Sequence, residues 1–233
     1  MYTTSSTWNT LIADSKHWFE TRVDINGVSY YSDTIVSVSV QNTMFSGEQP
    51  GVGGCLSGEL QLTMLAPSVT IPRMATVNPY VRVTNGTLTS EWIPQGKYWI
   101  DTRETTKNDD GLPVLTVHAY DSMLKAEGDF PDTTVSFPQT DISVVGMIAA
   151  EIGVGIDPRT TALMTNGYEI GLPVGYSMRE VLSYIGAMYA GNWIMNFDGD
   201  LLLVAVNGIP PETNYLVDSL GEAITFGGDR ILV

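Results

Sequence analysis

Cysteine is almost missing from this sequence. Cys55 stands alone among 233 residues, which excludes an internal disulfide and any cysteine-built zinc site within one chain. Histidine is nearly as scarce: His17 and His118 lie far apart, in segments that read as strands, and no H-E-x-x-H spacing joins them. Positive charge is short too. Eleven lysines and arginines face 26 aspartates and glutamates, a net charge of −15. Such a surface repels phosphates, so neither specific nucleic-acid binding nor docking on anionic lipid is expected. No apolar run approaches the ~18 residues that would span a bilayer. The longest, Ile185–Phe197, is interrupted by Gly186, Gly191 and Asn192, so no membrane insertion is expected. The first twenty residues have no early positive charge and no apolar stretch, so they do not read as a secretory leader.

What remains is turn-rich and strand-rich. There are 23 glycines and 12 prolines, and 43% of the residues are hydrophobic, so disorder and coiled coil are both excluded. A short helix is expected over Thr7–Asp14 with Thr7 as its cap. Strands are expected at His17–Ile25 and Val28–Tyr31 around an Asn26-Gly27 turn. Thr34–Gln41 alternates, with Val36, Val38 and Val40 inward against Ser37, Ser39 and Gln41. Glu59–Leu65 repeats the pattern with Leu60 and Leu62 inward. Further strands follow at Tyr80–Thr84, Thr87–Ile93, Lys97–Arg103 and Pro113–Ala119. Asp121 then caps a short helix that Gly128 stops.

The pattern changes after residue 128. Asp141 is expected to cap a helix Ile142–Ile152 ended by Gly153. Ser177-Met-Arg-Glu180 reads as a capping box for a helix whose apolar stripe is Met178, Val181, Leu182, Ile185, Met188 and Tyr189, ended by Gly191. A hairpin Trp193–Phe197 and Leu201–Val206 turns at Asp198-Gly199. The fold class is therefore mainly β with an α+β part: an N-terminal antiparallel β-barrel over residues 1–128, closed or nearly closed to hide its edges, and a small α+β domain over 129–206. In the tail, 207–233, Ala223–Phe226 and Arg230–Val233 read as strands.

No catalytic motif is complete. Gly51-Val-Gly-Gly54 lacks the Lys-Ser/Thr of a P-loop, and Leu56 stands where the third glycine of a dinucleotide fingerprint belongs. Gly153-Val-Gly155 fails the same test at Pro158. There is no G-x-S-x-G, and Asp198-Gly-Asp200 is too short for a calcium loop. The remaining acidic clusters, Asp109-Asp110 and Asp129 with Asp132, suit turns. No catalytic residue, cofactor or metal is assigned, and the chain is not expected to be an enzyme. Trp92, Tyr98 and Trp99 leave a carbohydrate-binding reading open beside the simpler one of cross-strand packing.

Several stretches in order resemble one family: Ile71-Pro-Arg-Met-Ala75, Asn78–Gly86, Ser90–Ile93, Gly96–Arg103, Leu115–Ala126 and Tyr176–Leu182 through Met188–Trp193. Together they resemble the tail hub (tail-associated, baseplate hub-like) proteins of phages and prophages of Gram-positive hosts. The resemblance implies a tube-like first domain, a small inserted domain and, from about residue 207, the beginning of a second tube-like domain. It also implies a homotrimer continuing a hexameric tail tube and placed in the virion at the tail tip or baseplate after synthesis in the host bacterial cytoplasm. The implied partners are a tail tube or distal tail protein, a tape-measure protein and a tail spike or fibre. A receptor- or carbohydrate-binding module of the tail tip is the alternative, and a cell-wall hydrolase a third reading.

Three expectations follow from the residues. The loop Asn42–Ser57 should be an assembly element, mobile in the free chain. Ala223–Val233 should be the first strand of an uncompleted barrel, poorly ordered or paired with the first domain or another copy. The polar faces Ser37, Ser39, Gln41, Glu59, Gln61 and Thr63 carry no lysine or arginine, which suits the lining of a channel through which DNA passes without being held.

Overall fold

The computed structural model describes residues 4–44, 51–68 and 70–205, together with the backbone of 225–226 and 229–230. The chain opens with helix α1, Ser6–Ala13, capped by Ser5, whose hydroxyl accepts from the Trp8 N–H. The cap lies two residues before Thr7, because Ser5 is also the residue that Glu91 holds, through both its backbone N–H and its hydroxyl.

Eight antiparallel strands follow: β1 Trp18–Ile25, β2 Val28–Tyr31, β3 Ile35–Gln41, β4 Glu59–Leu65, β5 Thr76–Thr84, β6 Ile93–Pro94, β7 Tyr98–Lys107 and β8 Pro113–Asp121. They form one sheet in the order β2-β1-β5-β7-β8-β4-β3, with β6 on β5. The β1–β2 turn has Asn26 and Gly27 at φ 49° and 82°, the left-handed pair such a turn requires. Every long strand contributes to one core, including Val23, Ile25, Leu60, Leu62, Met64, Val77, Tyr98, Ile100 and Val117.

The sheet is not a closed barrel among the described residues, since no pairing joins its ends, β2 and β3. β2 has only four residues, and β3 is bulged where its register slips between Ile35 and Ser37. That bulge also corrects the expected alternation. Val36 is 63% exposed, while Ile35 takes the inward position beside Val38 and Val40. The strand expected over Thr87–Ile93 shrinks to Ile93–Pro94 and a single bridge at Thr89. Asn85 is the cause: its side chain accepts from the Thr87 and Leu88 N–H groups and widens the turn.

A second core is built by the 3-10 helix Ser122–Glu127, β9 Gln139–Thr140, α2 Asp141–Ile152, α3 Pro158–Leu163, β10 Glu169–Ile170, α4 Met178–Met188, β11 Gly191–Met195 and β12 Leu201–Ala205. Asp121 caps the 3-10 helix through the Met123 N–H, and the capping box of Ser177 and Glu180 starts α4. Asp141 is not a cap. It is fully buried in the first turn of α2 and accepts from the Tyr189 hydroxyl, tying the start of α2 to the end of α4. Gly153, at φ 76°, closes α2. Helix α4 ends at Met188 rather than at Gly191, and Met188 is 44% exposed instead of belonging to the buried stripe. α3, β9 and β10 are too short to have been read from periodicity. Within the expected C-terminal strand, β13 Thr225–Phe226 pairs with β14 Asp229–Arg230, so a hairpin stands there. The rest of that stretch lies outside the described residues.

Candidate functional site

The bottom of the site is the polar face of the sheet. The register pairs Ser37 with Thr63, Ser39 with Gln61 and Gln41 with Glu59. These six residues therefore share one face, exposed except for the half-buried Thr63. The pairing continues the rows across β8 to Thr116, His118 and Tyr120, and across β7 to Glu104, Thr102 and Trp99. Four strands thus carry twelve side chains with no lysine or arginine among them. The β8 part was readable from Thr116, His118 and Tyr120 alternating with Leu115, Val117 and Ala119. The β7 part was not, because a bulge between Ile100 and Thr102 shifts its phase. From Asp101 on, β7 is the strand that extends past β5: residues 101–113 are all exposed, while β8 stays paired with β4 from Val114 to Tyr120.

The described second half of the glycine-rich loop is not mobile as expected. Residues 45–50 lie outside the described residues, but 51–57 are fixed against the chain's own second core. Gly53 N–H donates to Gly191 O at 2.8 Å, Gly54 N–H to Asn192 Oδ1 at 2.6 Å, and Trp193 N–H to Gly54 O at 2.7 Å. Asn192 donates in turn to Gly51 O, and Cys55 forms a parallel bridge with Trp193. This stretch is a strap that adds to the edge of β11. Glycine is needed for the close approach: a Cβ on Gly53 would stand 2.9 Å from Ser183 O, and Gly53 sits at φ 80°. With these N–H groups committed, the run is no phosphate cradle.

Cys55 is buried in the second core, and that burial pushes its thiol up to about 12 against a weaker opposite pull from Arg179. We expect the folded protein to leave this thiol unreacted toward a thiol reagent at pH 8 and to expose one thiol per chain in denaturant. Stoichiometric labelling of the native protein within minutes would contradict this placement.

Between the cores lies a polar junction. Asp121 Oδ2 accepts from Gly58 N–H at 2.7 Å and Oδ1 from Met123 N–H at 2.9 Å. Arg179 reaches Ser57 Oγ and Met123 O and pairs with Glu127 at 3.2 Å. Burial pushes the Asp121 carboxyl up to about 6, opposed by the two N–H donors and by Arg179.

The aromatic residues considered for sugar binding are otherwise engaged. Tyr98 is 1% exposed. The guanidinium groups of Arg82 and Arg22 lie 4.4 and 5.1 Å from the Trp92 ring centre, and the ammonium groups of Lys125 and Lys97 lie 4.1 and 5.5 Å from that of Trp99. His17 contacts Asp14 O and packs edge-on to Phe19. Asp198 and Asp200 donate their N–H groups to Asn196 Oδ1, as turn residues do. Among the described residues no group of three histidine, cysteine or acidic side chains converges as a metal site would, and no helix is long and apolar enough to cross a membrane.

No protein-family model matches this sequence, and no curated protein does. Solved structures do match. One is the 43 kDa tail protein of prophage MuSo2 from Shewanella oneidensis, with 13% identity and a TM-score of 0.54 over 80% of this chain and 53% of that one. Another is a tail protein from Neisseria meningitidis, with 12% identity and a TM-score of 0.53 over 88% of this chain and 53% of that one. The chain thus spans about half the length of either. Neither supports the Gram-positive host that the sequence resemblance implied. At such low identity the likeness establishes the architecture: this chain has a fold shared with phage-type tail proteins.

Proposed function

We propose that the protein is a structural, non-enzymatic subunit of a phage or prophage tail. In this reading it is the hub that joins the tail tube to the tip or baseplate. The observation that carries the reading is the fold shared with two tail proteins over most of the chain. The twelve-residue polar face without lysine or arginine agrees with it. In a homotrimer this face lines the channel, and the tube-like unit (about residues 1–128), the α+β unit (129–206) and the beginning of a second tube-like unit from about 207 build the wall. The neighbours in this reading are a tail tube or distal tail protein, a tape-measure protein and a spike or fibre.

Most of this face is hydroxyl, amide and carboxylate groups, which neutralise no phosphate, and the ammonium groups of Lys125 and Lys97 reach it only at Trp99, so few counterions are released and DNA is not retained. The protein should therefore show no measurable DNA affinity at physiological salt. Gold-labelled antibody against the chain should mark the tail end of intact particles, and particles without label there would refute the hub. Changing Ser37, Ser39, Glu59 and Gln61 together to lysine should leave particles assembled but slow DNA ejection. Ejection at the normal rate would remove the channel assignment while leaving the tail assignment standing.

A further inference from the structure

One surface is unused by any of the roles above. The connector between β10 and α4 and the outer side of α4 expose Leu172 (51%), Val174 (77%), Tyr176 (44%), Tyr184 (58%) and Met188 (44%). They do not scatter. Leu172, Tyr176, Tyr184 and Met188 line one hollow of about 280 Å³, with Ile170 at its side. A second hollow of about 480 Å³ continues from it, sharing Leu172, Pro173 and Tyr176, with Val174 on its wall. Tyr176 and Tyr184 meet edge to face at 5.8 Å, which fixes the rings as one wall of the groove. Large side chains exposed together in this way mark an interaction surface rather than the ordinary scatter of surface hydrophobics.

The charge around the groove selects among occupants. Asp129 and Asp132 line the second hollow. Glu180 precedes Tyr184 by one turn on α4, which puts the two on the same side of the helix. Neither hollow is lined by a lysine, arginine or histidine. The nearest basic residue along α4, Arg179, is turned away toward Ser57, Met123 and Glu127. A second copy seated groove to groove would set Asp129, Asp132 and Glu180 against their own like, and an anionic lipid surface would meet the same repulsion.

We propose that this groove docks a polypeptide segment of another protein, apolar at its centre and flanked by lysine or arginine. The apolar residues fill the two hollows, and the basic flanks meet Asp129, Asp132 and Glu180. The inference does not depend on the tail reading.

The test uses the full chain and two synthetic peptides of equal length, one of leucine and lysine and one of leucine and glutamate in the same amphipathic order. The lysine peptide should bind at least ten times more tightly in a fluorescence titration. Val174→Ser with Tyr184→Ser keeps the net charge and alters only exposed side chains, so an unchanged circular dichroism spectrum is expected; it should weaken binding about tenfold. Asp129→Asn with Asp132→Asn removes only two of 26 acidic residues, yet should cut the preference for the lysine peptide several-fold, which diffuse attraction to an acidic protein would not do. Equal binding of both peptides would overturn the proposal. So would indifference to either double variant, adsorption to neutral phosphatidylcholine vesicles through the same residues, or a dimer in sedimentation that Val174→Ser with Tyr184→Ser dissolves.

Discussion

Replacing Trp193 by alanine should cost about 3–5 kcal/mol of folding stability, the range for removing a fully buried large aromatic. Trp193 has no exposed surface and is among the largest wholly enclosed side chains. Its indole N–H donates to Leu182 O of α4 at 2.6 Å. Gly186, one turn on, has no Cβ, and an added one would stand 3.0 Å from the indole ring. The backbone of Trp193 receives the strap, through its N–H to Gly54 O and the bridge to Cys55. The substitution therefore opens a cavity where α4, β11 and the strap meet. Urea unfolding followed by circular dichroism should show the midpoint falling. Cys55 should become reactive toward thiol reagents at urea concentrations below that midpoint. A loss under about 1 kcal/mol would mean that the second core is not organised around this indole.

How much of this was readable depends on distance along the chain. The bounds of β2 and β4, the Asn26-Gly27 turn and the Ser177/Glu180 capping box follow from a few adjacent residues and agree with the structure. The polar face was readable because alternation fixes which side a residue takes once one face is buried. The bulge at Val36 was not, since an inserted residue leaves no mark in an unbroken Val-Ser-Val-Ser run. The strap was hidden for another reason. Gly51–Gly54 has the composition of a free loop, and its partner Asn192 lies 138 residues beyond Gly54. Only the folded chain shows that the glycines serve close approach rather than mobility. The apolar groove was missed because Met188 follows the helical period of the buried stripe, although the surface it belongs to is uncovered.

Acidification should stabilise the native protein relative to an Asp121→Asn variant. Asp121 is 5% exposed, and its carboxyl titrates at about 6 in the folded chain against 3.8 when unfolded. Between those values the folded chain holds a proton that the unfolded chain has released, so raising the pH favours unfolding. The contribution is fully present below pH 3.8 and is lost as the pH rises through about 6. At 1.36 kcal/mol per pH unit it amounts to about 3 kcal/mol. The other perturbed carboxylates act in the opposite sense. Arg159 holds Asp157 well below the usual range, and hydrogen bonds from Ser177, Ser5 and Asn85 lower Glu180, Glu91 and Asp14. Their contributions fade as the pH falls, but equally in both proteins, so the difference between the two isolates position 121. The groups facing it are Arg179 from α4, Tyr98 from β7 and the Gly58 and Met123 N–H groups, all of which the variant keeps. An asparagine has no charge to lose, so the stability gap should move by about 2 kcal/mol, most of the full contribution, in favour of the native protein between pH 7 and pH 4. Urea midpoints at pH 7, 5.5 and 4 measure it, and a gap that stays constant across the series would show that Asp121 does not change its protonation on folding.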